Sequence, residues 1–304
     1  MKRKPVVFLL ACVSLLQCSC DKFSNGDVIE KSRQLDESFQ MIELNDDVNV
    51  TLIHCDADNP AGYIVLKTGE NLWDNISTEV MVDTFRLLVN GTYIKEKFNK
   101  LVIRNNNTLD FLRPYDYTLE MTVYYDSIIS ILFNSNGTIN TDTLRGYNYI
   151  THFSTHDHSG NIIESDSLKS NLRIETAGGS GDLNVLMNCF RMTALYSHGT
   201  SNINFCGKAR LAEVYGDYDC HGIIDGRYLE TYNYYGTFNG TNALFAKAID
   251  YISAKNNNIG SIYYVRFQRE GTIWIDGVWK DSIFNCPQRH WFQGNTENIL
   301  PINP

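Results

Sequence analysis

The sequence predicts an all-β fold, a right-handed parallel β-helix (β-solenoid) with coils of about 20 residues, preceded by an N-terminal β region. Three observations predict it. Short runs of alternating apolar and polar residues, separated by polar turns, occupy most of the chain from Phe39 onward, the period-two pattern of strands that bury one face. No stretch carries the 3.6-residue periodicity of a long amphipathic helix. A small or polar turn followed by an apolar residue recurs through the second half, the apolar residue falling at Ile139, Ile162, Leu183, Ile203, Ile223, Ala243 and Ile262, in steps of 19–23 residues. A repeat of that length without helix-forming sequence marks stacked coils.

Taken in order, residues 1–19 read as a lipoprotein signal peptide. Lys2, Arg3 and Lys4 precede a short apolar run from Val6 to Leu16, too short to span a bilayer, which needs about 20 residues. Cys20 follows the small Ser19, as cleavage prefers, whereas Cys18 follows the bulky Gln17; Cys20 is therefore the expected lipidation site, the alternative being an ordinary cleaved signal with incidental cysteines. Residues 20–33 are polar and read as a tether. Residues 34–125 form the N-terminal β region: Val48 to Leu52 and Tyr117 to Val123 alternate with period two, and Tyr63–Leu66, Leu87–Val89 and Leu101–Ile103 are short runs rich in branched and aromatic residues. Residues 126–285 carry the coils, and residues 286–304 form a C-terminal cap or tail in which Trp291 or Phe292 covers the open end of the stack.

Loss of residues 1–19 removes three basic and no acidic residues, taking the formal charge from −9 to about −12. An acidic, lipid-anchored body is a poor partner for nucleic acid. The expected location is the cell envelope, as an outer-membrane lipoprotein facing either the periplasm or the cell surface, with the lipid anchor as the sole membrane contact.

The 20-residue alignment sorts side chains into columns. Phe153, Ile174, Ala194, Val214 and Tyr234 form one interior column, and Leu168, Cys189, Ala209, Leu229 and Ile249 another. His152, Arg173, Thr193, Glu213 and Asn233 form a polar exterior column. Leu195, Tyr215 and Tyr235 align in a second exterior column, and Tyr218 and Phe238 share a corner position. Exposed aromatic rings stack on sugars or anchor protein partners, so these five residues are the candidate binding face; stacked rings also stabilise adjacent strands.

Phe39-Gln40-Met41-Ile42-Glu43-Leu44 is followed by Asp47-Val48-Asn49-Val50-Thr51-Leu52, then by Glu70-Asn71-Leu72-Trp73 with Ile76, and the Met121-Thr122-Val123 strand leads into the coils. On these residues the stretch from Phe39 to about Asn285 resembles the auto-transporter adhesin "head GIN" domain family of Bacteroidetes-type lipoproteins, a family of unknown function. It implies an N-terminal β region continuing into a right-handed β-helix, and an adhesin-like role; it supplies no catalytic residues.

Other constellations have plainer explanations. In the cluster His152, His156, Asp157 and His158, His156 and His158 could chelate together from one turn, but the remaining histidines do not converge on them and His198 falls two coils away, so solvated turn residues account for the cluster and no metal is expected. Cys189 reads as a buried inert thiol; Cys206 and Cys220 have no clear partner. Asp157, Asp182, Asp217, Asp219 and Asp225 read as a solvated acidic rim, short coils leaving little chain to wall a catalytic groove. Gly178-Gly179-Ser180-Gly181 precedes no helix and reads as a turn. The expectation is a non-enzymatic binding or adhesion module without cofactor, its ligand a glycan or an envelope or host protein. A structural envelope protein, with oligomerisation, and a carbohydrate-active β-helix enzyme are the alternatives; the enzyme requires a walled groove holding three or more carboxylates with a Lys or Arg.

Overall fold

The structure, a computed structural model, describes residues 25–89, 92–106, 119–144, 147–156, 162–275 and 278–303. It is all-β. The chain opens with β1 (Val28–Gln34), β2 (Met41–Asn45), β3 (Asn49–His54) and β4 (Tyr63–Gly69), then a long hairpin of β5 (Ile76–Val89) and β6 (Thr92–Asn105). β7 (Leu119–Tyr125), β8 (Ser130–Asn134) and β9 (Thr138–Thr141) lead to a second hairpin, β10 (Tyr147–His156) and β11 (Ile162–Gly178). Three long strands follow, β12 (Asp182–Gly199), β13 (Asn202–Cys220) and β14 (Ile224–Phe238), then β15 (Ala243–Ala246), β16 (Tyr251–Asn256) and β17 (Ser261–Val265). A third hairpin, β18 (Phe267–Ile275) and β19 (Val278–Cys286), precedes β20 (Arg289–Gly294) and β21 (Ile299–Ile302). All strands but β18 and β19 join one 19-stranded sheet.

That sheet curls round its own core. β12 pairs with β13 in parallel along two segments, Asp182–Cys189 with Asn202–Ala209 and Arg191–Tyr196 with Leu211–Gly216. Each long strand bends between these segments and contributes to two flanks. On the first flank, Leu66, Met121, Val50, Ile139, Leu183, Ile203, Ile224, Leu244, Ile262 and Ile299 are successive register partners, all buried. On the second, Ile42, Ile131, Ile174, Ala194, Val214, Gly236, Ala254 and Phe292 form the matching ladder. Beside it, large and small residues alternate: Phe133, Thr176, Tyr196, Gly216, Phe238, Asn256 and Gly294. The alternation lets aromatic rings fill the space that small partners leave, which is how a narrow interior reaches native packing density. Each buried apolar side chain on these ladders contributes about 1.5–3 kcal/mol over exposure. One apolar cluster runs from Phe39 to Ile299.

Outside the first flank, polar residues repeat in step with the core. The Asn184 amide donates to Asn140 at 2.9 Å and the Asn204 amide to Asn184 at 2.7 Å, so the side-chain amides run from rung to rung as the backbone does.

Several sequence expectations change. The parallel offset is 20 residues from β12 to β13, but Ile139 pairs directly with Leu183. Ile162 instead opens β11 of an antiparallel hairpin inserted between those rungs. Ile203 meets Ile224, not Ile223, and Ile224 meets Leu244, not Ala243. The tether does not extend to residue 33: Val28–Gln34 pairs antiparallel with β4 and covers one end of the sheet. At the other end Phe292 packs on the core against Tyr264, ring centroids 5.2 Å apart, while Trp291 is half exposed. Residues 1–24, with Cys20, lie outside the described residues, as do Asp157, His158 and the side chains of His152, Phe153, His156 and Leu168.

Candidate functional site

The second flank presents its outer side to solvent through two columns next to each other. One runs Arg173, Thr193, Glu213, Tyr235, Ser253, Trp291; the other runs Glu175, Leu195, Tyr215, Thr237, Lys255, Gln293. Leu195 and Tyr215 are partners as expected, but Tyr235 is not in their column. An extra residue at the His221–Ile223 corner and a bulge between Asn204 and Cys206 displace β14 by two residues, so Tyr235 meets Glu213 and Thr237 meets Tyr215. The same displacement moves Tyr234 beside Ala212 and Asn233 beside Leu211.

Tyr215 is 44% exposed, Tyr235 39% and Trp291 50%. Tyr235 and Trp291 flank the small Ser253 in their column, two strand spacings or about 10 Å apart. Tyr251 stands against Tyr235 at 5.6 Å in an edge arrangement, with the Arg289 guanidinium 5.7 Å from the Tyr251 ring centre. Arg289 is itself held by Asp250. Nearer the middle, Arg191 bridges to Glu213 on the next rung at 2.5 Å. The face therefore combines exposed rings, two of them paired, with charges held in ion pairs. Tyr218 is exposed, but at the far corner beyond Gly216. Phe238 does not belong to this surface: it is fully buried, its ring occupying the room left by Gly216, Gly240 and Gly260. In a register with β13 it faces inward, opposite Gly216.

A groove missed by the sequence reading opens beside this face. All three hairpins leave the sheet at the corner where the chain passes from the first flank to the second. The hairpin of β10 and β11 reaches the groove with Ser170, whose hydroxyl accepts from the Phe190 backbone at 2.9 Å, and that of β18 and β19 with Arg269. Between them, Phe190, Lys208, Arg210, Glu230 and Tyr232 line a space of about 640 Å³. Arg210 lies over the Tyr232 ring at 5.5 Å, and Tyr232 is exposed. Among the described residues, three cationic side chains and a single carboxylate line it, an inversion of the acidic character of the whole chain. Inserted hairpins thus supply the walls that uniform short coils do not.

The acidic rim is not uniform. Asp182 accepts from Asn202, and Asp217 and Asp219 are exposed, but Asp225 is buried and bound to Arg227 at 2.5 Å. All five described cysteines are free. Burial pushes the Cys189 and Cys220 thiols up to about 12, so both stay protonated and inert at neutral pH. One polar cluster also escaped the sequence reading: His54, Cys55 and Asp126 bring ligand atoms within 4.8 Å of one another. No spacing motif announces it, because the residues come from the ends of two strands that pair only in the fold. Among the described residues, no helix is long and apolar enough to cross a membrane.

The model of the family described as "Putative auto-transporter adhesin, head GIN domain" matches residues 38–266. Among solved structures, a "putative adhesin" from Bacteroides fragilis NCTC 9343 is 13% identical with a TM-score of 0.63, covering 92% of this chain and 98% of its own. A "putative lipid binding protein" from Parabacteroides distasonis ATCC 8503 is 14% identical with a TM-score of 0.52, covering 91% and 98%. At such identities the likeness is one of fold. No curated protein sequence is a significant match.

Proposed function

Since the chain belongs to the auto-transporter adhesin head GIN domain family, we propose that it is a lipid-anchored, non-catalytic binding module of the cell envelope that holds an extended glycan across the aromatic second flank. The observation that carries this reading is the pair Tyr235 and Trp291 spaced across Ser253, with Tyr251 and Arg289 alongside. A ring already packed against a neighbour, as Tyr235 is against Tyr251, loses little entropy when a sugar stacks on it. Tyr215 and Leu195 extend the platform, and the groove with Arg210 and Tyr232 continues it round the corner. That Glu230 is the one carboxylate among the groove's described lining residues supports binding over cleavage, since glycosidic hydrolysis uses a pair. The same reading takes the parallel rungs as coils of a β-solenoid, supported by the 20-residue offset between β12 and β13. It also takes Cys20 as the lipidated first residue after removal of residues 1–19.

The test is a glycan array probed with the full-length chain in detergent, with release of products followed over hours. Binding without release is expected, weakened about tenfold or more by Tyr235→Ala and by Trp291→Ala at near-unchanged melting temperature. Binding indifferent to both substitutions would remove the aromatic flank from the proposal, and released sugar would overturn the non-catalytic reading. Mass spectrometry of the membrane-extracted protein should show a diacylglyceryl modification that Cys20→Ser abolishes.

A further inference from the structure

We propose that His54, Cys55 and Asp126 form a zinc site that clamps the end of β3 to the end of β7. Their ligand atoms lie within 4.8 Å of one another, close enough for one ion to draw a nitrogen, a sulfur and an oxygen into a shared shell. The donor set suits zinc, which accepts imidazole, thiolate and carboxylate together in tetrahedral geometry. A water completes the fourth position.

The surroundings prepare these residues for the role. The His54 Nδ1 lies 3.0 Å from the Cys55 carbonyl oxygen. A carbonyl only accepts, so the ring proton sits on Nδ1 and the other ring nitrogen keeps its lone pair; a backbone carbonyl is a frequent partner for a metal-bound imidazole. The backbone is fixed from both strands. The Cys55 amide donates to the Tyr125 carbonyl at 2.7 Å, the His54 amide to Asp142 at 2.6 Å, and the Tyr125 hydroxyl to the same Asp142 carboxylate at 2.5 Å. Asp142 thus ties the ligand His54 to Tyr125, the neighbour of the ligand Asp126, and is itself committed. The Tyr125 ring stands edge-on to His54 at 5.7 Å, limiting the imidazole's swing. Cys55 and His54 are half-buried, while Asp126 is exposed and gives the ion a route in. On binding, the Cys55 thiol releases its proton to solvent and the sulfur bonds to zinc as thiolate.

The experiment uses the full-length chain in detergent, stripped with a chelator and titrated with Co²⁺ and then Zn²⁺. A thiolate-to-cobalt charge-transfer absorption is expected, saturating at a single equivalent and erased by Zn²⁺. Cys55→Ser should abolish it, Asp126→Asn and His54→Gln should weaken Zn²⁺ binding about tenfold or more, and Cys189→Ser should leave it unchanged. Asp126 is exposed, so its variant folds and isolates the ligand's contribution; circular dichroism checks the other two. No absorption, or an absorption that survives Cys55→Ser, overturns the site.

Discussion

Gly216 and Phe238 are register partners on neighbouring rungs, and a methyl group at Gly216 would lie 2.6 Å from the Phe238 ring. Gly216→Ala should therefore overpack the interior and cost about 1–3 kcal/mol, read as a fall in the urea midpoint. Phe238→Ala should cost about 3–5 kcal/mol through the cavity it opens. The buried thiols make a second prediction. Cys189 and Cys220 are raised by burial from 9.0 to about 12, so unfolding lets them ionise at a pH where the folded chain cannot. Their stabilisation is complete below pH 9 and is lost as pH rises towards 12. Stability should decline across that window, and Cys189→Ala should shallow the decline in alkaline denaturation curves. At this scale the sequence showed which residues are apolar but not their partners. One extra corner residue and one bulge add up to an even displacement. An even displacement keeps every side chain on its own side of the sheet, so the alternation gives no sign that Tyr235 has left the Tyr215 column. Phe238 looked like a corner aromatic because its cover consists of glycines, which contribute no pattern.

The inserted hairpins were hidden for a related reason at the scale of elements. Ile139 and Leu183 are 44 residues apart, near enough to two 20-residue steps that the antiparallel strand beginning at Ile162 passed for a rung. Strands of a hairpin and strands of a stack share the same period, and only the direction of pairing separates them. Phe267 and Cys286 are cross-strand partners at the base of the third hairpin, so a short Asn-Gly turn can replace residues 268–285 without moving β17 or β20. The shortened protein should keep its circular dichroism and lose ligand retention at the groove; collapse of the spectrum would show the hairpin to be part of the folding core. The first hairpin is fastened differently. Lys100 on β6 contacts Glu43 on β2 at 2.7 Å and Asp83 on β5 at 2.8 Å. Burial opposes the Glu43 charge, but hydrogen bonds from Asn45 and Lys100 hold its carboxyl below the ordinary range. Lys100→Met should destabilise by about 1–3 kcal/mol and speed amide exchange along β5 while β12 and β13 stay protected.

For the whole molecule, the all-β class and the family were legible, the first because alternation survives insertions and the second because the motifs at Phe39–Leu52, Glu70–Ile76 and Met121–Val123 are local. The walls of the groove and the convergence of His54, Cys55 and Asp126 were not, since both depend on which strand ends meet. A single apolar cluster joins the N-terminal strands to the last rung. Thermal unfolding followed by circular dichroism and by aromatic fluorescence should therefore give coincident transitions; two separated transitions would divide the chain near residue 125.

The ladder from Leu66 to Ile299 also sets how the protein carries load. A force applied between its two ends acts along the inter-strand hydrogen bonds, not across them, and so opens one rung at a time like a zip. Each rung of the β12–β13 kind releases about 20 residues, roughly 70 Å of slack. Yielding in such steps dissipates a sudden pull over distance and leaves the remaining rungs, with whatever they hold, in place.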